Sequence, residues 1–188
     1  VVVHSFGTPG ARPKAYLHAA LHAQELPGIV VLEHLIGLLD EADAAGRITG
    51  EIIVVPFANP IGLSQQIMME AQGRYDLDTN RNYNRGFPDL IDGTAERLEG
   101  RLTQGGEENI ALVRNAMAQE LAARRDLREA DVLKVRLMGL SFDADFVLDL
   151  HSAWEAMLHL FVTDVNWPDG ADLAAQIGAD VVLIDRGN

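Results

Sequence analysis

A histidine and a glutamate three residues apart, His22 and Glu25, are the first residues of this sequence whose types and spacing could bind a metal. They follow a short apolar run and precede Pro27, so they lie where a strand is expected to give way to a helix. A His-x-x-Glu pair at such a turn can hold one divalent ion from two sides. Because such pairs are common by chance, the pair needs a third ligand from elsewhere in the chain.

The best candidate for the third ligand is His151, in the segment Asp149-Leu150-His151. Two histidines and one carboxylate leave a fourth position open for water, which is the ligand pattern of catalytic zinc. Such an ion lowers the pKa of its water and polarises a carbonyl. His18 could compete as a His-x-x-x-His partner of His22, but that spacing suits a helix. Residues 14–20 are expected to form a strand, so His18 is interpreted as a packing residue or a neighbour of the ligands.

A second cluster of chemically active residue types occupies residues 73–88, called here the arginine–asparagine loop. Three arginines and three asparagines fall within 12 residues of it. Guanidinium groups bind carboxylates through paired hydrogen bonds and can stabilise a developing oxyanion. The alternative is a solvated turn whose side chains hydrogen-bond to their own backbone. Composition alone leaves both interpretations open.

The elements that must position these residues follow from the hydrophobic pattern. Apolar runs predict strands at 1–6, 14–20, 51–57, 145–150, 157–163 and 181–184, and helical spacing predicts helices at 27–45, 107–125, 127–140 and 171–177. The continuous run 51–57 is typical of a central strand buried on both faces. The first helix has a wide apolar face and should be largely covered. Strands alternating with helices predict an α/β fold with a mostly parallel or mixed sheet, whose strand ends carry the candidate ligands.

The composition and net charge of the chain limit the classes of function that it can have. The 188 residues are 48% hydrophobic, enough for one well-buried domain, and contain no cysteine, which excludes disulfides and thiolate metal sites. Fifteen basic and 28 acidic residues give a net charge of −13, which argues against binding to nucleic acid or to anionic membranes. No run approaches the roughly 18 apolar residues needed to span a bilayer. The first residues do not resemble a signal peptide, so a cytoplasmic protein is expected.

Four motifs taken together are more specific than any one of them. They are His22-Ala23-Gln24-Glu25, Gly73-Arg74, Asn82-Tyr83-Asn84-Arg85-Gly86-Phe87 and Leu148-Asp149-Leu150-His151. In this order they resemble the succinylglutamate desuccinylase/aspartoacylase family of the zinc carboxypeptidase-like superfamily. The resemblance covers roughly residues 14–163. It implies a three-layer α/β/α fold with a mixed, mostly parallel sheet, and one Zn²⁺ per chain.

The same resemblance implies roles for individual residues. It implies that zinc is held by three of them, His22, Glu25 and His151. It further implies that Arg74 polarises the scissile carbonyl and stabilises the oxyanion, and that Asn84 and Arg85 bind a substrate carboxylate. Asn80-Arg81 could take the last role by composition. The sequence Gly86-Phe87-Pro88 follows Asn84-Arg85, however, as the family pattern expects.

The expected activity is hydrolysis of the amide bond of an N-acyl amino acid or similar small amide by zinc-bound water. The alternatives are a metallocarboxypeptidase acting on peptides with the same residues, and a non-catalytic zinc- or ligand-binding domain of the same fold. A homo-oligomer is left open. The family's general base is a glutamate on a strand well after the third zinc ligand, and only Glu155 follows His151 here. We therefore expect residues 1–188 to form an incomplete catalytic domain, with the base and a β-rich C-terminal domain beyond Asn188.

Overall fold

The computed structural model describes residues 1–125, 128–167 and 169–186. The strands are β1 (His4–Gly7), β2 (Lys14–Ala19), β3 (Glu51–Val55), β4 (Gln66–Ile67), β5 (Glu70–Ala71), β6 (Phe146–Leu150), β7 (His159–Thr163) and β8 (Val181–Asp185). The helices are α1 (Pro27–Ala44), α2 (Pro60–Ser64), α3 (Ile91–Leu98), α4 (Gly106–Ala123), α5 (Glu129–Ser141) and α6 (Gly170–Ile177). The chain forms two compact units, Val1–His151 and a second that starts at Ser152.

The first unit contains a four-stranded mixed sheet with the strand order β1-β3-β2-β6. β2 pairs in parallel with both β3 and β6, whereas β1 runs antiparallel to β3. The parallel pairing of β2 with β3 requires a crossover, which α1 provides. The mixed α/β architecture predicted from the sequence is thereby confirmed. The zinc carboxypeptidase-like three-layer arrangement stays a prediction.

Side chains of β3 alternate between two core clusters, as the pleat of a strand requires. Ile53 and Val55 pack in a cluster with Leu137 of α5, whereas Val54 packs in a cluster with Leu32 of α1. The central strand is therefore covered on both faces, as its continuous apolar run predicted.

Helix α1 is covered on one side only, so the expectation of a largely covered helix is wrong. Val30 and Leu38 are 57% and 64% exposed. The start of the helix lies very close to the sheet because residue 28 is glycine. A Cβ on Gly28 would lie 3.0 Å from the Cβ of Ala19 and 3.1 Å from the Cβ of Leu150. This approach brings the turn before α1 against the ends of β2 and β6.

The segment 63–95, which lacks a regular pattern in the sequence, contains only short elements between α2 and α4. β4 and β5 form a small antiparallel hairpin, and an isolated bridge joins Tyr75 to Asn82. The bridge folds the first part of the arginine–asparagine loop back on itself.

The second unit pairs β7 in parallel with β8, and α6 connects them. The helix predicted at 127–140 is α5, which begins at Glu129. Leu127 and the end of the chain at Asn188 lie outside the described residues, and the single domain expected from the length stays a prediction. Within the described ranges, no helix combines the length and the apolar character that crossing a bilayer requires.

Candidate metal centre and substrate loop

The turn between β2 and α1 carries two of the predicted metal ligands in buried positions. His22 is 5% exposed and Glu25 is 7% exposed. The chain leaves β2 through Ala20, whose φ of 57° lies in the left-handed region that alanine adopts only at a cost. The backbone N–H of Glu25 donates to the carbonyl of His22 at 2.9 Å. Both side chains therefore project from one tight turn.

The sheet brings His151 to this turn. β6 lies beside β2 with Leu150 opposite Ala19, so the residue after β6 reaches the turn after β2. Nδ1 of His22 lies 3.0 Å from Oε1 of Glu25, and Nδ1 of His151 lies 2.8 Å from Oε2 of the same carboxylate. One ligand atom from each of the three residues lies within 4.8 Å of the others. His22, Glu25 and His151 are called the His-Glu-His cluster below.

Asn82 holds the outward-facing nitrogen of His22. Nε2 of His22 lies 2.9 Å from Oδ1 of Asn82, and the same oxygen accepts a hydrogen bond from the backbone N–H of Asn84 at 2.8 Å. Because a backbone N–H can only donate, the acceptor atom of Asn82 must be its oxygen. Nε2 of His22 therefore carries a proton and donates it. In the neutral imidazole, Nδ1 then has its lone pair on the side of Glu25, which is the form of an imidazole that binds a metal.

Asp149 holds the outward-facing nitrogen of His151, with Nε2 lying 2.8 Å from Oδ2. Burial alone would lower the pKa of His151, but the hydrogen bond and charge of Asp149, followed by those of Glu25, raise it. Burial alone would raise the pKa of Asp149, but the hydrogen bond from His151 and the adjacent imidazole of His18 hold it well below the usual range. Asp149 is therefore an anion that fixes the ring of His151.

The donor set of the His-Glu-His cluster fits a zinc ion. Imidazole nitrogens and a carboxylate oxygen are typical zinc ligands, and three of them leave a fourth position open. Each imidazole has its outward nitrogen held by an oxygen acceptor, which is how proteins orient zinc-binding histidines. Nδ1 of His151 lies 2.8 Å from Oε2 of Glu25, a distance that a bridging proton spans when His151 is protonated. A divalent ion can replace that proton, because metal binding to such ligands releases protons.

Gly73 brings the arginine–asparagine loop against the ligand turn. The N–H of Ala23 donates to the carbonyl of Gly73 at 2.9 Å. A Cβ on residue 73 would lie 2.6 Å from the backbone nitrogen of Gln24, so a larger residue does not fit without movement. The next residue, Arg74, donates from Nη2 to Oε1 of Glu25 at 2.7 Å. The Arg74 side chain is 45% exposed, so its guanidinium lies on the solvent side of the cluster.

Asn84 also reaches the cluster. Its Nδ2 lies 3.2 Å from Nε2 of His151. That nitrogen cannot donate to Asp149 and accept from Asn84 at once. Asp149 is closer and charged, so it takes the hydrogen bond. Asn84 is therefore a polar neighbour of His151 and keeps its amide available to another partner.

Arg85 is exposed, and its Nη1 donates to the carbonyl of Asn84 at 2.7 Å. The carbonyl of Arg85 accepts a hydrogen bond at 2.7 Å from Lys134, a buried lysine of α5. The competing residue Arg81 lies in a turn that Asp76 closes by donating its N–H to the Arg81 carbonyl. Of the two candidate Asn-Arg pairs, Asn84-Arg85 is the one that contacts the His-Glu-His cluster.

Sequence reasoning gave no role to Asn82, Gly73 or Lys134. Asn82 and Asn84 flank Tyr83, which is fully buried, so a period of two in the loop could have indicated that both asparagines face the cluster. A glycine directly before the candidate arginine could have indicated a close approach of two backbones. The pattern of α5 does not distinguish Lys134 from an exposed lysine.

The fold and the site define a mixed α/β protein that carries a His-Glu-His cluster at the carboxyl ends of parallel strands. The sequence model of the succinylglutamate desuccinylase/aspartoacylase catalytic domain matches residues 11–119, more than half of the chain. The chain therefore belongs to the succinylglutamate desuccinylase/aspartoacylase family, and the activities in that family's description are hydrolytic deacylations. The matched range contains His22, Glu25 and the arginine–asparagine loop, and it ends before His151.

Solved structures agree with this assignment. A protein of the same family from Shewanella amazonensis is 28% identical, with a TM-score of 0.76 over 88% of this chain and 45% of its own. A protein from Shewanella frigidimarina assigned to the same activities is 27% identical, with a TM-score of 0.77 over 90% and 45%. An aspartoacylase family protein from Mesorhizobium loti, 20% identical with a TM-score of 0.55, supports the fold alone.

The chain spans about 45% of the length of the two Shewanella proteins. No protein of curated function gives a significant match.

Proposed function

We propose that this protein is a zinc-dependent amidohydrolase that removes the acyl group from an N-acyl amino acid or a similar small amide. The observation that carries the proposal is the set of groups around one carboxylate. Glu25 is contacted by Nδ1 of His22, by Nδ1 of His151 and by the guanidinium of Arg74. The zinc carboxypeptidase-like three-layer fold is part of the same proposal.

Three residues would hold the zinc ion, namely His22, Glu25 and His151. When bound there, zinc supplies a Lewis acid that polarises the amide carbonyl and lowers the pKa of water. Asn82 and Asp149 keep the two imidazoles in their tautomers and ring orientations. The ligands therefore need little rearrangement to bind the ion.

Arg74 is proposed to stabilise the negative charge that develops on the acyl oxygen. Glu25 already holds its guanidinium beside the cluster, while nearly half of the side chain faces solvent. A guanidinium has five N–H donors, so it can keep its bond to Glu25 and still offer N–H groups to a substrate oxygen. A donor placed in advance at that oxygen stabilises the transition state most, because the charge appears there.

Asn84 and Arg85 are proposed to bind a carboxylate of the substrate. The exposed guanidinium of Arg85 can form two parallel hydrogen bonds to a carboxylate. The backbone of Arg85 is anchored to α5 by Lys134, and Asn84 lies beside His151. A substrate whose carboxylate is held there has its amide carbonyl oriented toward Arg74 and the cluster.

The test is zinc content and deacylase activity of the whole protein, measured for the wild type and for His22→Ala. The wild type is expected to contain stoichiometric zinc and to cleave members of a panel of N-acyl amino acids, and His22→Ala is expected to lose both. The control is His34→Ala, which removes an exposed histidine of α1 and should change neither. If His22→Ala retained stoichiometric zinc and activity, the site assignment would be wrong.

The substrate panel separates the alternatives. Cleavage of C-terminal residues from peptides, without cleavage of N-acyl amino acids, would replace the deacylase proposal with a metallocarboxypeptidase. Stoichiometric zinc without hydrolysis of either class would indicate a non-catalytic binding domain.

A further inference from the structure

Two buried polar side chains of β2, Tyr16 and His18, have no part in the proposed function, yet they lead directly to the His-Glu-His cluster. Tyr16 is fully buried and His18 is 6% exposed. The Tyr16 hydroxyl lies 2.9 Å from Nδ1 of His18, and Nε2 of His18 lies 2.7 Å from Oδ1 of Asp149. The other oxygen of Asp149 holds His151. Tyr16, His18 and Asp149 therefore form a continuous polar row from the core to His151.

The strand register creates this row. β2 and β6 are parallel neighbours, and His18 is the direct partner of Asp149 in their register. The two side chains therefore stand side by side on one face of the sheet. Tyr16, two residues earlier on the same strand, points to the same face. The sheet itself places a histidine at position 18 next to the carboxylate that orients His151.

The direction of each contact follows from the chemistry of the groups. Burial, followed by the charge of Asp149, raises the pKa of Tyr16, so its hydroxyl keeps its proton and donates to Nδ1 of His18. An imidazole that accepts a hydrogen bond at Nδ1 carries its proton on Nε2. That nitrogen is buried, and among the described residues it has no partner other than Asp149 Oδ1. This close approach of an N–H group to a carboxylate is chiefly electrostatic.

We propose that His18, supported by Tyr16, is a positioning residue that holds Asp149 against His151 and so raises the affinity of the cluster for zinc. The Asp149 side chain is 28% exposed, so without His18 its carboxylate can rotate toward solvent. Contact with His18 at Oδ1 leaves Oδ2 for His151. His151 then donates from Nε2 and presents Nδ1 to the cluster. The inference rests on the proposed zinc centre.

The experiment compares three variants of the whole protein. His18→Leu removes the imidazole, His18→Gln restores an N–H donor on a side chain of similar reach, and Tyr16→Phe removes only the hydroxyl. Two quantities are measured: the Zn²⁺ dissociation constant, by competition with a chromogenic chelator, and the visible absorption spectrum of the Co²⁺ form. Far-UV circular dichroism checks that each variant is folded.

We expect His18→Leu to weaken zinc binding by about 10-fold or more, since lost partners of metal-binding histidines cost about 10–100-fold. His18→Gln should recover part of the affinity. Tyr16→Phe should weaken zinc binding by about 5-fold, the equivalent of one buried hydrogen bond. The Co²⁺ spectrum should shift in His18→Leu. The control His34→Gln, at an exposed position of α1, should match the wild type in both measurements.

Wild-type affinity and an unchanged Co²⁺ spectrum in folded His18→Leu would overturn the inference. If His18→Leu does not fold, full wild-type zinc affinity in both Tyr16→Phe and His18→Gln would overturn it equally, because both variants are expected to bind zinc more weakly than the wild type. A different result would overturn the proposed function instead: a wild type that does not bind zinc, or His22→Ala binding it as tightly as the wild type.

Discussion

The two halves of the candidate site are held in different ways. The metal half lies in a backbone turn at the end of β2, where His22 and Glu25 are 5% and 7% exposed. The substrate half lies in the arginine–asparagine loop, where Arg74 is 45% exposed and Arg85 is open to solvent. The first half is fixed by strand register and buried hydrogen bonds, whereas the second touches it through a few polar contacts.

We expect the two halves to have different functions, with one binding the metal and the other binding the substrate. A cluster whose ligands are oriented by fixed neighbours binds an ion without reorganising. An exposed loop with paired donors accepts substrates that differ in shape. Substitutions in the metal half should therefore reduce zinc binding and turnover together. Substitutions in the substrate half should leave zinc in place.

The largest effect is expected from Glu25→Gln, which keeps the side-chain volume and removes the charge. His22, His151 and Arg74 would then face a neutral amide. We expect loss of stoichiometric zinc and a fall in kcat/KM of more than about 100-fold. Loss of a residue that only orients a metal ligand costs up to about 100-fold, and loss of the ligand itself should cost more. Metal analysis and kinetics check this. The control Glu33→Gln lies exposed on α1 and should have no effect; full zinc occupancy in Glu25→Gln would contradict the metal half as defined.

Arg74→Ala should separate the two halves. Because the guanidinium contacts Glu25 from the exposed side, its removal is expected to leave zinc stoichiometric. Turnover should fall by about 10²–10³-fold, the usual cost of removing an oxyanion donor. The matched control is Arg136→Ala, at an exposed position of α5. Loss of zinc together with turnover would show that Arg74 belongs to the metal half.

Arg85→Ala and Arg81→Ala decide which arginine binds the substrate carboxylate. A hydrogen bond between charged groups contributes about 1.5–3 kcal/mol, so Arg85→Ala should raise KM by about 10–100-fold with zinc retained. Arg81→Ala should change KM by less than about 2-fold. Steady-state kinetics with the best N-acyl amino acid measure both. A larger effect from Arg81→Ala would reverse the assignment.

The convergence of the candidate ligands could be predicted from the sequence because the information is local. His22 and His151 each follow an apolar run of strand length, and the carboxyl ends of parallel strands meet at one edge of a sheet. The run 51–57 likewise identified the central strand, since a strand buried on both faces needs an apolar residue at nearly every position. In each case the sequence pattern that supports the prediction lies within one short segment.

Other features depend on which parts of the chain meet, and the sequence does not encode that locally. Val30 and Leu38 are as apolar as the buried residues of α1, yet they are exposed because the described part of the first unit does not pack against them. Asn82 orients His22 across 60 positions of the chain, and Lys134 reaches Arg85 across 49. Those partners are fixed by the fold of the loop, so composition could not identify them.

Gly73→Ala tests the junction between the two halves. The added Cβ would lie 2.6 Å from the Gln24 nitrogen and 2.7 Å from the Ala23 Cβ, so the loop must move away from the ligand turn. We expect a loss of about 1–3 kcal/mol in the free energy of unfolding, as for overpacking elsewhere. Gly37→Ala is the control: its Cβ would meet nothing within 4 Å, and it should stabilise α1 by about 0.5–1 kcal/mol. Equal urea stability of Gly73→Ala and the wild type would show that the loop is not docked there.

The smallest effect concerns Lys134, which anchors the substrate half from α5. Burial lowers its pKa, partly opposed by the charge of Asp131. The pKa in the folded state is therefore below the unfolded value of about 10.4. Between the two values the unfolded chain binds more protons, so the contribution of this group to stability rises with pH.

Lys134→Met removes this titration. The free energy of unfolding of the wild type, relative to that of the variant, should therefore increase as the pH rises from 7 to 10. Urea unfolding at both pH values measures it, and an unchanged difference would mean that Lys134 titrates normally. The same variant leaves the carbonyl of Arg85 without its donor, so KM should rise while zinc stays bound. A rise in KM without loss of zinc would place this buried lysine in the substrate half, although its burial resembles that of His22 and Glu25.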